Sequence, residues 1–252
     1  MKKTFIFCLC IMALTACKSG IEIPEVLANH PERATFTKLD DKSNQFITLF
    51  NGTDFTGLYT YDSKRGREKG ENPNYVIRDG MFCFAGADPG YVSTEKSYKN
   101  YYLRAKVRWG EKKYGSRVNS PRDSGIIYHF TEDKVWPTSF EFQVQEGDMG
   151  DIWLTGPVTC TDSKGVPYPI ERQNRIVKYA DGELPSGEWN QLEMICWDDQ
   201  AEYFFNGVKV NDLHNLSLTE GRILFQLEYA DVIIKHIKIV LNLLATWRGR
   251  AC

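Results

Sequence analysis

Long hydrophobic runs are scarce in this sequence of 252 residues. The run at residues 5–14 falls well short of the ~20 apolar residues a transmembrane helix needs. Basic tracts are missing too. Lys and Arg number 31 against 33 Asp and Glu, for a net charge of −2. No Lys/Arg cluster is long enough to follow a phosphate backbone, so nucleic acid is excluded as a partner. No CxxC or HExxH occurs, and a structural zinc site is therefore not expected. No amphipathic pattern is sustained beyond two helical turns, which argues against a helical fold.

What is present begins with MKKTFIFCLCIMALTAC. Lys2 and Lys3 precede the short apolar run, and Leu14-Thr15-Ala16 leads into Cys17. Small residues before a cysteine suit a lipoprotein signal peptidase, which must admit the backbone beside the scissile bond. Residues 1–16 read as a signal peptide, Cys17 as the lipidated residue and 17–44 as a tether. The expected location is the bacterial cell envelope, on the periplasmic side or the outer-membrane surface. The lipid anchor is the sole membrane contact expected. Residues 241–252 form a tail without an assigned role.

Seven cysteines occur. Cys8 and Cys10 leave with the signal, and Cys83 and Cys196 sit in strand-like runs as small buried hydrophobes. The remaining domain, of roughly 200 residues, is long enough for one sizeable core. Short strands are expected at 46–50, 75–78, 81–85, 90–93, 101–109, 125–130, 140–145, 190–197, 200–205, 209–213, 221–228 and 232–240. Asp79-Gly80 and Asn206-Gly207 are hairpin turns, since both residues of such a turn need positive φ. The pattern predicts an all-β sandwich of two antiparallel sheets. The stretches 62–74 and 110–123 read as charged loops, and 147–178 as a long irregular segment.

The informative segment is FEFQVQE, residues 140–146. Alternation sends Phe140, Phe142 and Val144 one way and Glu141, Gln143 and Gln145 the other. A carboxylate accepts hydrogen bonds, and an amide both donates and accepts, so the row suits sugar hydroxyls. A solvated polar face is the plainer alternative. Glu141 is the candidate catalytic residue, with Gln143 and Gln145 as substrate contacts. By the same alternation His129 shares a face with Ile127, where its imidazole would act as a base or metal ligand. Arg104, on the polar face of 101–109, and Trp153 are further candidate substrate contacts. Trp136, Trp153 and Tyr168 are loop or edge aromatics suited to stacking on a sugar ring or to filling the core.

The ordered segments FITLFNGTDFTGL, YVIRDGMF, GYVSTEKSYKNYYLRAKVRW, DSGIIYHF, FEFQVQ, GEWNQLEMIC, YFFNGVKVND, GRILFQLE and IIKHIKI resemble the bacterial 3-keto-disaccharide hydrolase family over about 45–240. The resemblance implies a concanavalin-like jelly roll. It also implies hydrolysis or 1,2-elimination of 3-keto-glycosides, in some members with a divalent metal ion. A ketone at C3 acidifies the C2 proton, and loss of that proton lets the C1 leaving group depart. By that resemblance Glu141 and Gln143 match the family's aromatic-Glu-x-Gln strand, and Gln226 its Leu-Gln strand. Lys235 stands where Arg is usual, His236 where Asn is usual, and Asp123 where many members carry Asn. Lys keeps the charge but loses the planar fork.

Two other readings use the same residues. A β-bulge after Gln145 would turn Glu146 towards Glu141, as in a retaining glycosidase with carboxyls on the order of 5 Å apart. A non-catalytic glycan-binding lipoprotein is the other, because fold does not fix function. The anchor is tested directly by metabolic labelling with radioactive palmitate. The full-length chain should incorporate label and the Cys17→Ser variant should not; equal labelling of both would refute lipidation at Cys17.

Overall fold

The computed structural model describes residues 46–84, 88–169 and 174–241. The signal, Cys17, the tether, Ala85 and the tail from residue 242 lie outside the described residues. Among the described residues no helix is long and apolar enough to cross a membrane.

In chain order the strands are β1 (Ile47–Thr48), β2 (Leu58–Asp62), β3 (Gly66–Glu68), β4 (Tyr75–Arg78), β5 (Met81–Phe84) and β6 (Gly90–Thr94). Then come β7 (Tyr101–Lys113), β8 (Gly125–Phe130), β9 (Ser139–Gln143), β10 (Ile152–Thr155), β11 (Cys160–Asp162) and β12 (Pro167–Tyr168). The last are β13 (Arg175–Ile176), β14 (Asn190–Trp197), β15 (Gln200–Phe205), β16 (Val208–His214), β17 (Arg222–Leu227) and β18 (Ala230–Leu241). They form two antiparallel sheets. The back sheet runs β12-β11-β16-β15-β14-β7-β18-β5-β4, with β1 also on β18; the front sheet runs β13-β10-β9-β8-β17-β6-β2-β3. This is the all-β sandwich the strand spacing predicts, with the jelly-roll architecture the family resemblance implies.

The two hairpin signals are realised as positive φ at Asp79 (51°) and Gly80 (70°), and at Asn206 (51°) and Gly207 (81°). Asx and Gly tolerate that region, which twists a two-residue turn to match its strands. The charged stretch 62–74 contains β3, and the irregular stretch 147–178 contains β10 to β13. These strands have two to four residues, too few for alternation to show in the sequence. Leu241, placed in the tail by the sequence, pairs with Tyr101 as the end of β18.

The main core lies between the sheets. Leu103, Ala105 and Val107 of β7 meet Phe140, Phe142, Ile126 and Tyr128 of the front sheet there. The hydroxyls of Tyr128 and Tyr203 are hydrogen-bonded to each other inside it, so the two polar tips satisfy one another. The opposite face of β7 carries Arg104, which pairs with Glu193 at 3.3 Å, and Lys106, whose register partner is Lys235. A second apolar cluster of Tyr59, Tyr91, Ile127, Phe130 and Leu224 covers part of the outer face of the front sheet.

His129 departs from the simple alternation. β17 pairs Arg222 with Phe130 and Ile223 with Tyr128, leaving His129 as the extra residue of a bulge. Its φ is 60°. The bulge rotates the ring off the face of Ile127, against Tyr101 and Tyr128 at centroid distances of 5.7 and 4.9 Å. Nδ1 bonds to the Leu218 carbonyl at 2.9 Å. His129 is therefore a packed interior residue and not a base or ligand beside Glu141. Burial lowers its pKa from 6.5 to about 4, because the charged ring would lose its hydration. The unfolded chain binds a proton below about 6.5 and the native ring does not. Stability therefore falls as pH drops from 6.5 towards 4, by on the order of 3 kcal/mol for this residue. Urea unfolding across that range should show a shallower pH slope for His129→Asn, which keeps a residue tolerant of positive φ. An unchanged slope would refute a buried neutral histidine.

Candidate functional site

Register fixes what faces outward on the front sheet. Trp153 of β10 lies opposite Glu141 of β9, and Glu141 lies opposite Ile127 of β8. Gln143 lies opposite Gly125, and Gln226 of β17 opposite Tyr91 of β6. Since Phe142, Ile126 and Phe225 belong to the main core, the intervening residues point away from it.

Glu141, Gln143, Trp153 and Gln226 line a cavity of about 270 Å³ with Arg117, Asp123, Trp136, Gln145, Thr155 and Glu228. That lies just below the ~300–1,000 Å³ usual for pockets enclosing a drug-sized ligand, a volume suited to one sugar ring. Trp136 is 49% exposed at the rim, and Trp153 flanks the floor beside Glu141.

Arg117 organises the floor. It comes from a single 3-10 turn, Gly115–Arg117. Its Nη2 donates to both Asp123 Oδ2 and Glu228 Oε1, and its Nη1 donates to Gln145 Oε1 at 3.1 Å. Gln145 Nε2 donates onward to Asp148 at 2.6 Å, so Gln145 links the arginine to Asp148 at the cavity wall. Gln226 Nε2 donates to Glu228 Oε2 at 3.3 Å, while its Oε1 is buried without a partner. Asp123 Oδ1 is likewise buried without a partner. Gln143 Oε1 accepts the Val144 N–H at 2.9 Å.

Glu141 is buried and receives no hydrogen bond from the described residues. Burial pushes its pKa well above the usual carboxylate range, Asp123 and Glu228 push it further, and Arg117 opposes them. Asp123 is raised to about 7 by burial and by Glu228, against the pull of Arg117. Three carboxyls around one guanidinium cannot all shed their protons cheaply in a desolvated site.

A divalent metal does not fit this arrangement. The guanidinium of Arg117 occupies the position between Asp123 and Glu228 where a cation would sit, and among the described residues no group of three His, Cys, Asp or Glu is placed to hold an ion.

Of the candidates named from the sequence, Glu141, Gln143, Gln145, Gln226 and Trp153 meet in the cavity. Arg104 and Lys235 do not. Arg104 is engaged with Glu193 and with the Tyr102 hydroxyl at 2.9 Å. Lys235 Nζ lies 3.9 Å from the centre of the Trp189 ring. Both project from the outer surface of the back sheet, because β7 and β18 pair there and turn their alternate residues from the core. Glu146 does not line the cavity; it is bound to Arg122 at 3.1 Å, and β9 ends at Gln143. The bulge that a retaining pair requires is therefore absent. Tyr168 belongs to β12 and packs on the main core. Sequence reasoning missed Arg117, Glu228 and Thr155. Alternation in LFQLE would have placed Glu228 beside Gln226, but nothing local marks Arg117 within a charged loop.

Gly125 is required by Glu141. A Cβ at Gly125 would sit 2.2 Å from Glu141 Oε1 and 3.0 Å from its Cγ. The carboxyl occupies the space a side chain would fill. Gly125→Ala should lower the unfolding free energy by about 1–3 kcal/mol, the usual cost of overpacking, and displace Glu141. Denaturant unfolding measures the first effect and sugar affinity the second; a fully stable variant with unaltered affinity would show that the carboxyl does not lie over Gly125.

Solved structures that share the fold include two from Parabacteroides distasonis ATCC 8503. A proposed glycosyl hydrolase from Parabacteroides distasonis ATCC 8503 aligns with a TM-score of 0.56 at 21% identity, over 79% of this chain and 95% of its own. A second from the same organism aligns with a TM-score of 0.53 at 18% identity, over 79% of this chain and all (100%) of its own. No curated protein matches the sequence. Residues 45–240 match the sequence profile of the 3-keto-alpha-glucoside-1,2-lyase-like domain, and the chain belongs to that family.

Proposed function

We propose that this protein cleaves 3-keto-glycosides by 1,2-elimination in the cavity on the outer face of its front sheet, as a lipoprotein held in the cell envelope through Cys17. The observation that carries the reading is the convergence of Glu141, Asp123, Gln143 and Gln226 on one small cavity walled by Trp136 and Trp153. The tryptophans offer apolar faces for a pyranose ring, and the floor offers acceptors for its hydroxyls. Family membership supports the same chemistry.

Elimination needs a proton acceptor for C2, a donor for the leaving oxygen, and stabilisation of charge on the C3 oxygen. Two carboxyls of raised pKa, Glu141 and Asp123, suit proton transfer near neutral pH. Gln143 Nε2, whose amide oxygen is already engaged by Val144, is the donor available for the C3 oxygen. The same floor serves hydrolysis if water adds back to the unsaturated product before release. The cavity volume favours one ring with its leaving group over a polymer spanning the sheet.

Purified mature protein incubated with 3-keto-glucosides, with products followed by NMR, tests this reading. The wild type should form the C1–C2 unsaturated keto-sugar or its hydrate, and on substrates with an alkoxide leaving group Glu141→Gln should lower turnover by about 10²–10⁴-fold, the usual worth of a proton-transfer group. Unchanged substrate at high protein concentration, together with measurable sugar binding, would replace the lyase reading with a glycan-binding one.

A further inference from the structure

The cavity holds two carboxyls in different electrostatic settings, and the difference divides the proton transfers between them. Arg117 Nη2 donates to Asp123 Oδ2, so a cation is fixed on one oxygen of Asp123. The other oxygen, Oδ1, is buried without a partner in a residue 5% exposed that lines the cavity. It is a carboxylate oxygen that no side chain engages, in a residue of the cavity lining. Glu141 has the opposite setting. It sits over Gly125, receives no hydrogen bond from the described residues, and has Asp123 and Glu228 as negative neighbours. A carboxyl without donors and beside two anions keeps its proton.

We infer that Asp123 is the base that removes the C2 proton and that Glu141 is the acid that protonates the departing glycosidic oxygen. This rests on the elimination reading above. Asp123 Oδ1 takes the C2 proton, the C2–H electron pair forms the C2–C3 double bond of an enolate, and the carbonyl pair moves onto the C3 oxygen; collapse of the enolate re-forms the C3 carbonyl and moves the C2–C3 pair into the C1–C2 double bond. The C1–O bond breaks, its electrons remain on the leaving oxygen, and that oxygen takes the proton of Glu141. Asp123 is then protonated and Glu141 ionised. Transfer of one proton from Asp123 to Glu141 restores the starting state, with no oxidant or other co-reactant. Glu228, on the second side of the same Arg117 nitrogen, is a positioning residue that shares the cation. The rise of Asp123 to about 7 agrees with a group that must both take and return a proton near neutrality.

The assignment predicts a leaving-group split. Methyl and 4-nitrophenyl 3-keto-glucosides of one anomer are the probes, with turnover and deuterium uptake at C2 from D2O read by NMR. Asp123→Asn should lose about 100-fold or more on both substrates and abolish C2 exchange, because C2 must be deprotonated whatever leaves. Glu141→Gln should lose as much on the methyl glycoside but only about tenfold or less on the nitrophenyl one, whose leaving group departs without help, and should still exchange C2. Asp123→Glu, which keeps a carboxylate at a shifted position, should recover part of the exchange. An active wild type whose Asp123→Asn variant still exchanges C2, or whose Glu141→Gln variant does not, overturns the division of roles and leaves the lyase reading standing. A wild type inert on both probes overturns the lyase reading, and this assignment with it.

Discussion

The period-two constraint at the centre of the front sheet governs the rest of the molecule. β9, β8 and β17 must bury Phe140, Phe142, Ile126, Tyr128, Ile223 and Phe225 against the back sheet. Each such side chain contributes roughly 1.5–3 kcal/mol when withdrawn from water, so a one-residue slip in any of these strands would expose the core face. Fixing that face inward fixes Glu141, Gln143 and Gln226 outward. The same packing energy that stabilises the sandwich therefore aims the polar floor of the cavity. The floor is built on central strands, which hold a carboxyl in place better than a loop would.

The outer face of the front sheet is divided between two kinds of cluster. Towards β2 and β6 it is closed by Tyr59, Tyr91, Phe130, Ile127 and Leu224. Asp133 accepts hydrogen bonds there from Tyr59 at 2.6 Å and Arg222 at 2.8 Å, so that end is satisfied internally. Towards β9 and β10 the face stays open and carries acceptors without donors. Asp123 Oδ1 and Gln226 Oε1 are buried and unpaired, at a cost of about 1–3 kcal/mol for each such group. A ligand carrying hydroxyls would relieve that cost.

Charge at the open end is managed by one guanidinium. Arg117 binds Asp123 and Glu228 with one nitrogen and Gln145 with another, a use of the planar fork that lysine does not match. Because the cation sits on Asp123 and Glu228, Glu141 is the carboxyl left uncompensated. Two acids of similar intrinsic strength thereby acquire different proton affinities within one cavity. Gly125 completes the arrangement by leaving out the Cβ that would meet Glu141.

Alternation and turn chemistry are local properties, and they made the sandwich, the Asp79-Gly80 and Asn206-Gly207 hairpins and the outward row of Glu141 and Gln143 legible in the sequence. The order of the motif segments along the chain carried the family resemblance. Short strands such as β10 and β13 escaped because two to four residues complete too few alternations to be seen. His129 was misplaced because a bulge adds one residue to a strand, and its position depends on the register of β17. Arg104 and Lys235 were misplaced because alternation says which residues share a face, but not which sheet of the two, nor which surface of the sandwich, that face becomes. Arg117 was invisible because a charged loop residue gains its role only when three distant segments bring Asp123, Gln145 and Glu228 around it. The sequence by itself determined the all-β architecture and the side of strand β9 on which Glu141 stands, since both follow from period-two patterning. The partners of Glu141, and with them which carboxyl holds a proton, were decided by tertiary structure alone, because electrostatic setting depends on distances between segments remote in the chain.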